Sequence, residues 1–140
     1  MSFKLLGVII TDNLSWENYV NADCAKAGTR LHFLKLLKRS SVTFNDLLQY
    51  YKAIIRPVID YACPVWQSGL TVEQRSRLES IQRRALHIIS GSLDYEPNCV
   101  LYDIETISAR LDNLTRSFFK RISGSDYYLN HLLSTERPSK

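Results

Sequence analysis

A chain of 140 residues with 45% hydrophobic and 23% charged residues can bury one compact core and is too apolar for wholesale disorder. No apolar run approaches the ~20 residues a bilayer-spanning helix needs. The N-terminal MSFKLLGVII runs into the polar Thr11-Asp12-Asn13 instead of a small-residue cleavage site, so no membrane span or signal peptide is expected, and the location expected is intracellular, cytoplasmic or nuclear. Cys24, Cys63 and Cys99 are odd in number and lack any CxxC or Cys/His spacing, which reads as reduced thiols instead of a disulfide framework or metal site. The formal charge is a modest +4; its distribution says more than its sum.

In chain order, Phe3 to Ile10 is a β-branched apolar run ending in a turn signal, which predicts an N-terminal β-strand or hairpin. Gly7 inside it marks a close backbone approach or a bulge. No later segment offers an obvious second strand, so the run is expected either to pair with polypeptide missing from this chain or to pack awkwardly as an edge, a sign of truncation. Ser15 is the expected cap of a first helix, with Leu14 and Tyr19 as hydrophobic staple and Glu17 at the positive helix end. Trp16, Val20, Cys24, Ala27, Leu31 and Leu34 form its apolar stripe, and Lys26, Arg30, Lys35, Lys38 and Arg39 stand outside it. Between Cys24 and Asn45 there is no acidic residue, so this helix carries a purely positive patch. The helix dipole also favours cations at a C-terminus, so part of the clustering needs no ligand.

Thr43 with Asp46, and Val42 with Leu47, form a second helix start. The helix it launches is the expected central pillar: Leu47, Tyr51, Ile54, Ile55, Val58, Ile59, Ala62, Val65 and Trp66 recur at helical spacing. Pro57 and Pro64 interrupt that stripe, so a kink near Pro57 and an end or second bend near Pro64 are predicted. Lys52 and Arg56, four apart, share a face and would extend the positive patch.

Gln67-Ser68-Gly69 breaks the chain, and Thr71 with Gln74 forms a capping box for a helix from Val72 to Ser90 that stops at Gly91. Its core stripe is Leu78, Ile81, Ala85, Ile88 and Ile89. Arg75, Glu79 and Arg83 are spaced for internal ion pairs. Arg77 and Arg84 have no acidic neighbour in sequence and are the better phosphate candidates. Gly91 to Asn98 reads as a linker, followed by a helical turn around Cys99 to Ile104. Ile107, Leu111, Leu114, Phe118 and Ile122 define a last helix ending near Gly124, with Arg110, Arg116, Lys120 and Arg121 outside it. Residues 127–133 form one further turn, and a polar, frayed tail begins at Ser134. The fold class is therefore mainly α: an N-terminal strand or hairpin and a small bundle of four to five helices, the second kinked at Pro57.

Catalytic chemistry needs convergent groups, and few are present. His32, His87 and His131 have no ligand-spaced partners, no phosphate-binding glycine loop or nucleophile elbow exists, and no Asp-Asp pair could hold two metal ions. On its own the chain is expected to be catalytically silent, with no metal and no cofactor.

The ordered series Phe3-Lys4-Leu5-Leu6-Gly7-Val8, Leu14-Ser15-Trp16, Leu31 to Leu37, Tyr51 to Ala62 with Val65-Trp66, and Leu78 to Gly91 resembles the C-terminal part of reverse transcriptases from non-LTR (LINE-type, Jockey and CR1-like) retrotransposons. Arg110 and Phe118-Phe119-Lys120-Arg121-Ile122 fit that family's closing helix. The resemblance implies a primer-grip-like strand and turn over residues 1–14, a helical thumb-like region over 15–133 and a flexible tail over 134–140. It implies that Lys4 and Gly7 lie at the primer end, that Lys26, Arg30, Lys35, Lys38, Arg39, Arg77 and Arg84 flank an RNA–DNA template–primer, and that the catalytic carboxylates belong to a palm domain missing from this chain. Lys4 to Lys38 also resembles a small module at the N-terminus of AlkB-type tRNA-modifying proteins. This chain lacks a His-x-Asp iron site and a cofactor loop, so no oxygenase or methyltransferase activity is inferred. Two other readings stand beside the grip: a structural or protein-interaction helical module that exposes an apolar docking surface around Phe3 to Ile10, and a relic reading frame with no selected role.

Overall fold

The computed structural model describes residues 1–124 and 126–133; the expected polar tail lies outside them. The N-terminal run is its own partner. β1 (Ser2–Leu5) and β2 (Val8–Thr11) pair antiparallel with Leu5 opposite Val8. The two linking residues, Leu6 and Gly7, both have positive φ, the geometry of a tight primed turn that follows strand twist. Gly7 is thus a turn residue and not a strand interior, and no second strand is needed from elsewhere. A two-stranded hairpin is marginal by itself. This one is held by the buried Val8 side chain and by Tyr61, whose hydroxyl donates to the Leu6 carbonyl.

α1 (Glu17–Arg39) starts one residue later than the Ser15 cap predicts: Trp16 occupies the cap position without a side-chain bond, and Leu14 is exposed instead of stapled. Ser40 and Ser41 close the helix, and Thr43 then caps α2 (Phe44–Tyr50), its hydroxyl accepting from the Asp46 amide. α2 runs directly into a π-turn (Tyr51–Ile55) and then α3 (Arg56–Asp60), making one bent rod over 44–60. Pro57 has no amide to offer the Ala53 carbonyl, and its ring crowds the preceding turn. The Arg56 amide reaches back five residues to Tyr51 O, inserting the extra residue of a π-turn just before the proline. The rod ends at Ala62, which is left-handed, and Pro64 sits in the first turn of the short α4 (Cys63–Trp66). The Trp66 indole is fully buried and donates to Tyr61 O at 2.9 Å.

α5 (Val72–Ser90) has the predicted capping box of Thr71 and Gln74 and ends at Gly91 with φ +76. The segment expected to be a linker is already helical: α6 spans Tyr95–Leu101, earlier than its composition suggested. α7 (Ile107–Ile122) is capped by Thr106, and a 3₁₀ turn (Asn130–Leu132) comes after it. Among the described residues no helix is long and apolar enough to cross a membrane.

A polar cluster pins the helices at the centre. Gln82 is fully buried; its side-chain amide donates to Tyr95 Oη at 2.8 Å and Glu105 O at 2.9 Å, and its oxygen accepts from Tyr51 Oη on the π-turn. Glu79 accepts from the Ile107 and Ser108 amides at 3.0 and 3.1 Å, capping α7 from another helix. The internal ion pairs expected of Arg75, Glu79 and Arg83 therefore do not form. Arg75 donates to Gln67 and faces Asp112, while Arg83 lies over the Tyr95 ring. Arg110, expected on the solvated side, instead clamps Asp60 with Nε contacts of 2.8 and 2.9 Å, tying α7 to α3. Gln82→Leu strips the buried Tyr51 hydroxyl of its acceptor and breaks the bonds to Tyr95 Oη and Glu105 O, so it is expected to lower unfolding free energy by on the order of 2 kcal/mol in urea denaturation.

Candidate nucleic-acid interface

The positive residues sort by the geometry of α1. Residues step round a helix by about 100°, and the buried Val20, Ala27, Leu31 and Leu34 define its inward side. Lys26 and Arg30 leave on the flank nearest α3, where the Arg30 guanidinium donates to Ile54 O. Lys35 and Arg39 leave on the other flank, in line with Glu17 and Asn21 lower on the helix. Between the two flanks is an outward arc of about 140° that carries Ala25, Thr29, His32, Phe33 and Leu36, all exposed.

α5 completes the second flank. Arg77 bonds to Glu17 at 2.8 Å and to Asn21, at the start of both helices, and Lys38 donates to Ile89 O at 2.8 Å, at the end of both. The two helices therefore run parallel. Arg84 is two turns beyond Arg77 on the same face of α5, so it belongs to the flank that α1 shares with α5.

This arrangement separates cations that sequence treated alike. Arg77, expected to lack an acidic neighbour, is paired with Glu17; the Gln74 amide and that contact hold the Glu17 carboxyl below its ordinary range. Lys38 serves the C-terminal carbonyls of α5. Lys26, Lys35, Arg39 and Arg84 are exposed and make no hydrogen bond or ion pair among the described residues. Lys4 is exposed on β1, on the hairpin face that also bears Ile9. Lys52 and Arg56 are half-buried, and the Arg56 Nε is enclosed without a partner. Among the described residues no group of His, Cys, Asp and Glu is arranged to hold a metal ion.

Gly7, Lys26 and Arg30 come together where the hairpin turn meets α1 and α3. With Tyr19, Asp23, Pro57, Val58 and Tyr61 they line a pocket of about 330 Å³. A Cβ on Gly7 would lie 3.3 Å from the Tyr61 ring in a backbone conformation that L residues resist. Asp23 escaped the sequence reading. It is 3% exposed, and its Oδ2 has no hydrogen-bond partner. The signal was present, since Asp23 sits three after Val20 and four before Ala27, a charge in the core stripe.

Burial raises the Asp23 carboxyl to about 6, opposed by the Lys26 charge, and burial also pushes the Tyr19 phenol upward. The folded value lies above the unfolded one, so the native state holds the extra proton between about pH 4 and 6 and stability falls as pH rises through that window. Lowering pH from 7 to 5 should stabilise the wild type by on the order of 1 kcal/mol from this group, after screening at the pocket mouth. Asp23→Asn should lack that increment in denaturation curves taken across the range.

No family model matches the chain, and no solved structure does. It is similar to a probable RNA-directed DNA polymerase from the transposon X-element of Drosophila melanogaster, 24% identical over 143 residues. The chain is covered over 98% of its length but spans only 16% of that protein. The similarity is therefore a distant relation to one region of a reverse transcriptase.

Proposed function

We propose that this chain is a thumb-like grip of an RNA-directed DNA polymerase of the non-LTR retrotransposon type, holding a template–primer by its phosphates and doing no chemistry itself. The observation that carries this reading is the set of cations either side of the outer strip of α1: Lys26 and Arg30 of α1 on one flank, Lys35 and Arg39 of α1 with Arg84 of α5 on the other. They border an exposed strip with no carboxylate. Charges placed so can neutralise two backbones without reading bases. Arg77 and Lys38, held by internal partners, contribute by keeping the second row in register. In this reading residues 1–14 are the primer-grip-like element with Lys4 and Gly7, residues 15–133 the thumb, and a palm domain supplies the catalytic carboxylates.

A second reading has its own observation. Phe3, Leu5 and Leu6 are exposed and continue onto Tyr61 and Val65 beside the hairpin, an apolar surface suited to protein contact. It is compatible with the first, because a grip must dock on the domain it serves.

Replacing Lys35, Arg39 and Arg84 together with Gln tests the grip. Binding to an RNA–DNA hybrid should weaken equally for unrelated sequences, and the slope of log affinity against log salt should flatten by about 3, roughly one per phosphate contact. An unchanged slope removes this row from the interface.

A further inference from the structure

Charge is segregated along this chain in both directions. No acid lies between Cys24 and Asn45, and no lysine or arginine lies between Arg84 and Arg110, a stretch that carries Asp94, Glu96, Asp103 and Glu105. Its second half folds as α6 and the loop into α7, where apolar side chains also stand in water. Val100 is 84% and Leu101 73% exposed. With Glu96 and Pro97, one turn earlier, they form the outer arc of α6, while Asn98 and Cys99 are buried. Beside Val100 a groove of about 610 Å³ opens between α6 and the first turn of α7. Of the acids lining it, Glu105 is held by Arg110 and Asn113. Glu96 and Asp103 are exposed, and their carboxylates make no hydrogen bond or ion pair among the described residues. Single apolar residues on a surface need no explanation, but a groove that joins several of them to unpaired acids marks an interaction surface.

The outer strip of α1 carries the matching chemistry. Phe33 and Leu36 are 52% and 40% exposed there, between Lys26 and Arg30 on one side and Lys35 and Arg39 on the other. α5 separates the two surfaces: it meets α1 through Arg77 and Glu17, and α6 through Arg83 over the Tyr95 ring. One chain therefore cannot bring its own strip to its own groove. We propose that the groove between α6 and α7 receives the outer strip of α1 from a second copy of this chain, with Phe33 and Leu36 against Val100 and Leu101, and Lys35 and Arg39 facing Glu96 and Asp103. Apolar burial supplies the attraction, and the opposed charges set its register. The contact joins two different surfaces, so each added copy leaves one of each free and association continues past the dimer. It also covers the strip that the grip reading gives to a nucleic-acid backbone. For that consequence alone the inference rests on the reading above: self-association and duplex binding exclude each other.

A contact of one or two helix turns is at the small, weak end of specific interfaces, so the full chain is followed by sedimentation velocity at roughly 5–200 µM, at low salt and without nucleic acid. The weight-average mass of the wild type, 16.2 kDa as a single chain, is expected to rise about twofold or more across that range and to fall back as salt is raised. Glu96→Lys with Asp103→Lys, and separately Lys35→Glu with Arg39→Glu, should each remain single chains; all four positions are exposed, so folding is little affected. Mixing the two variants sets opposite charges face to face again and should restore the assembly. A short RNA–DNA hybrid in excess should disperse the wild-type assembly. A wild type that stays a single chain throughout, association that survives either pair of substitutions, or a mixture that stays dispersed overturns the docking surface and leaves the grip standing. Assemblies that bind the hybrid without dispersing overturn the shared face. Association as expected in a chain that binds no hybrid overturns the grip and leaves the docking surface standing.

Discussion

The missing amide of Pro57 is the constraint around which the rest of the molecule arranges itself. A straight helix through 44–60 would leave the Ala53 carbonyl unpaired and drive the proline ring into the preceding turn. The π-turn removes the conflict by widening one ring of the helix, with Arg56 bonded to Tyr51 O. That extra residue rotates the turns before the bend relative to those after it. Tyr51 points to the buried Gln82 at the meeting of α5 and α6, while Tyr61, beyond the bend, presents its carbonyl to Trp66 and its hydroxyl to the hairpin. One proline therefore couples the polar centre of the bundle to the attachment of its N-terminal hairpin.

The positive face depends on a second constraint, the parallel registration of α1 and α5. Two cations fix it at opposite ends, Arg77 against Glu17 and Lys38 against Ile89 O. Interactions of this kind at an exposed surface are individually weak, and the burial of Leu31, Leu34, Leu78 and Ala85 between the helices does most of the holding. The polar contacts choose which face of each helix is turned to the shared flank. As a result, Lys35 and Arg39 of α1 and Arg84 of α5 belong to one shared flank, although 45 residues separate Arg39 from Arg84 in the chain.

Asp23 illustrates a different balance. It occupies a core position of α1 yet lies beside Lys26, so burial and a neighbouring positive charge pull its proton affinity in opposite directions, and burial prevails. Replacing it with an apolar residue would relieve the native state of a charge in a poorly solvated place. A group kept at such a cost belongs to the class of positions where local consistency yields to something other than packing.

Helix count, the Thr43 and Thr71 caps, the Gly91 terminator and the bend at Pro57 were all legible in the sequence, because each is set by the chemistry of residues within one or two turns. So was the positive character of α1, since no acid lies between Cys24 and Asn45. The N-terminal run was left open between a strand and a hairpin; a two-residue turn is hard to place in a continuous apolar run when its first residue is Leu6 instead of Asn or Asp. What tertiary structure alone decided was which charges are engaged. Arg77, Arg110 and Glu79 looked alike in sequence to their neighbours, but their partners Glu17, Asp60 and the α7 amides are brought close by folding from 28 to 60 residues away. Local sequence specifies where a helix begins, bends and ends; the partner of a long side chain is set by how the helices pack.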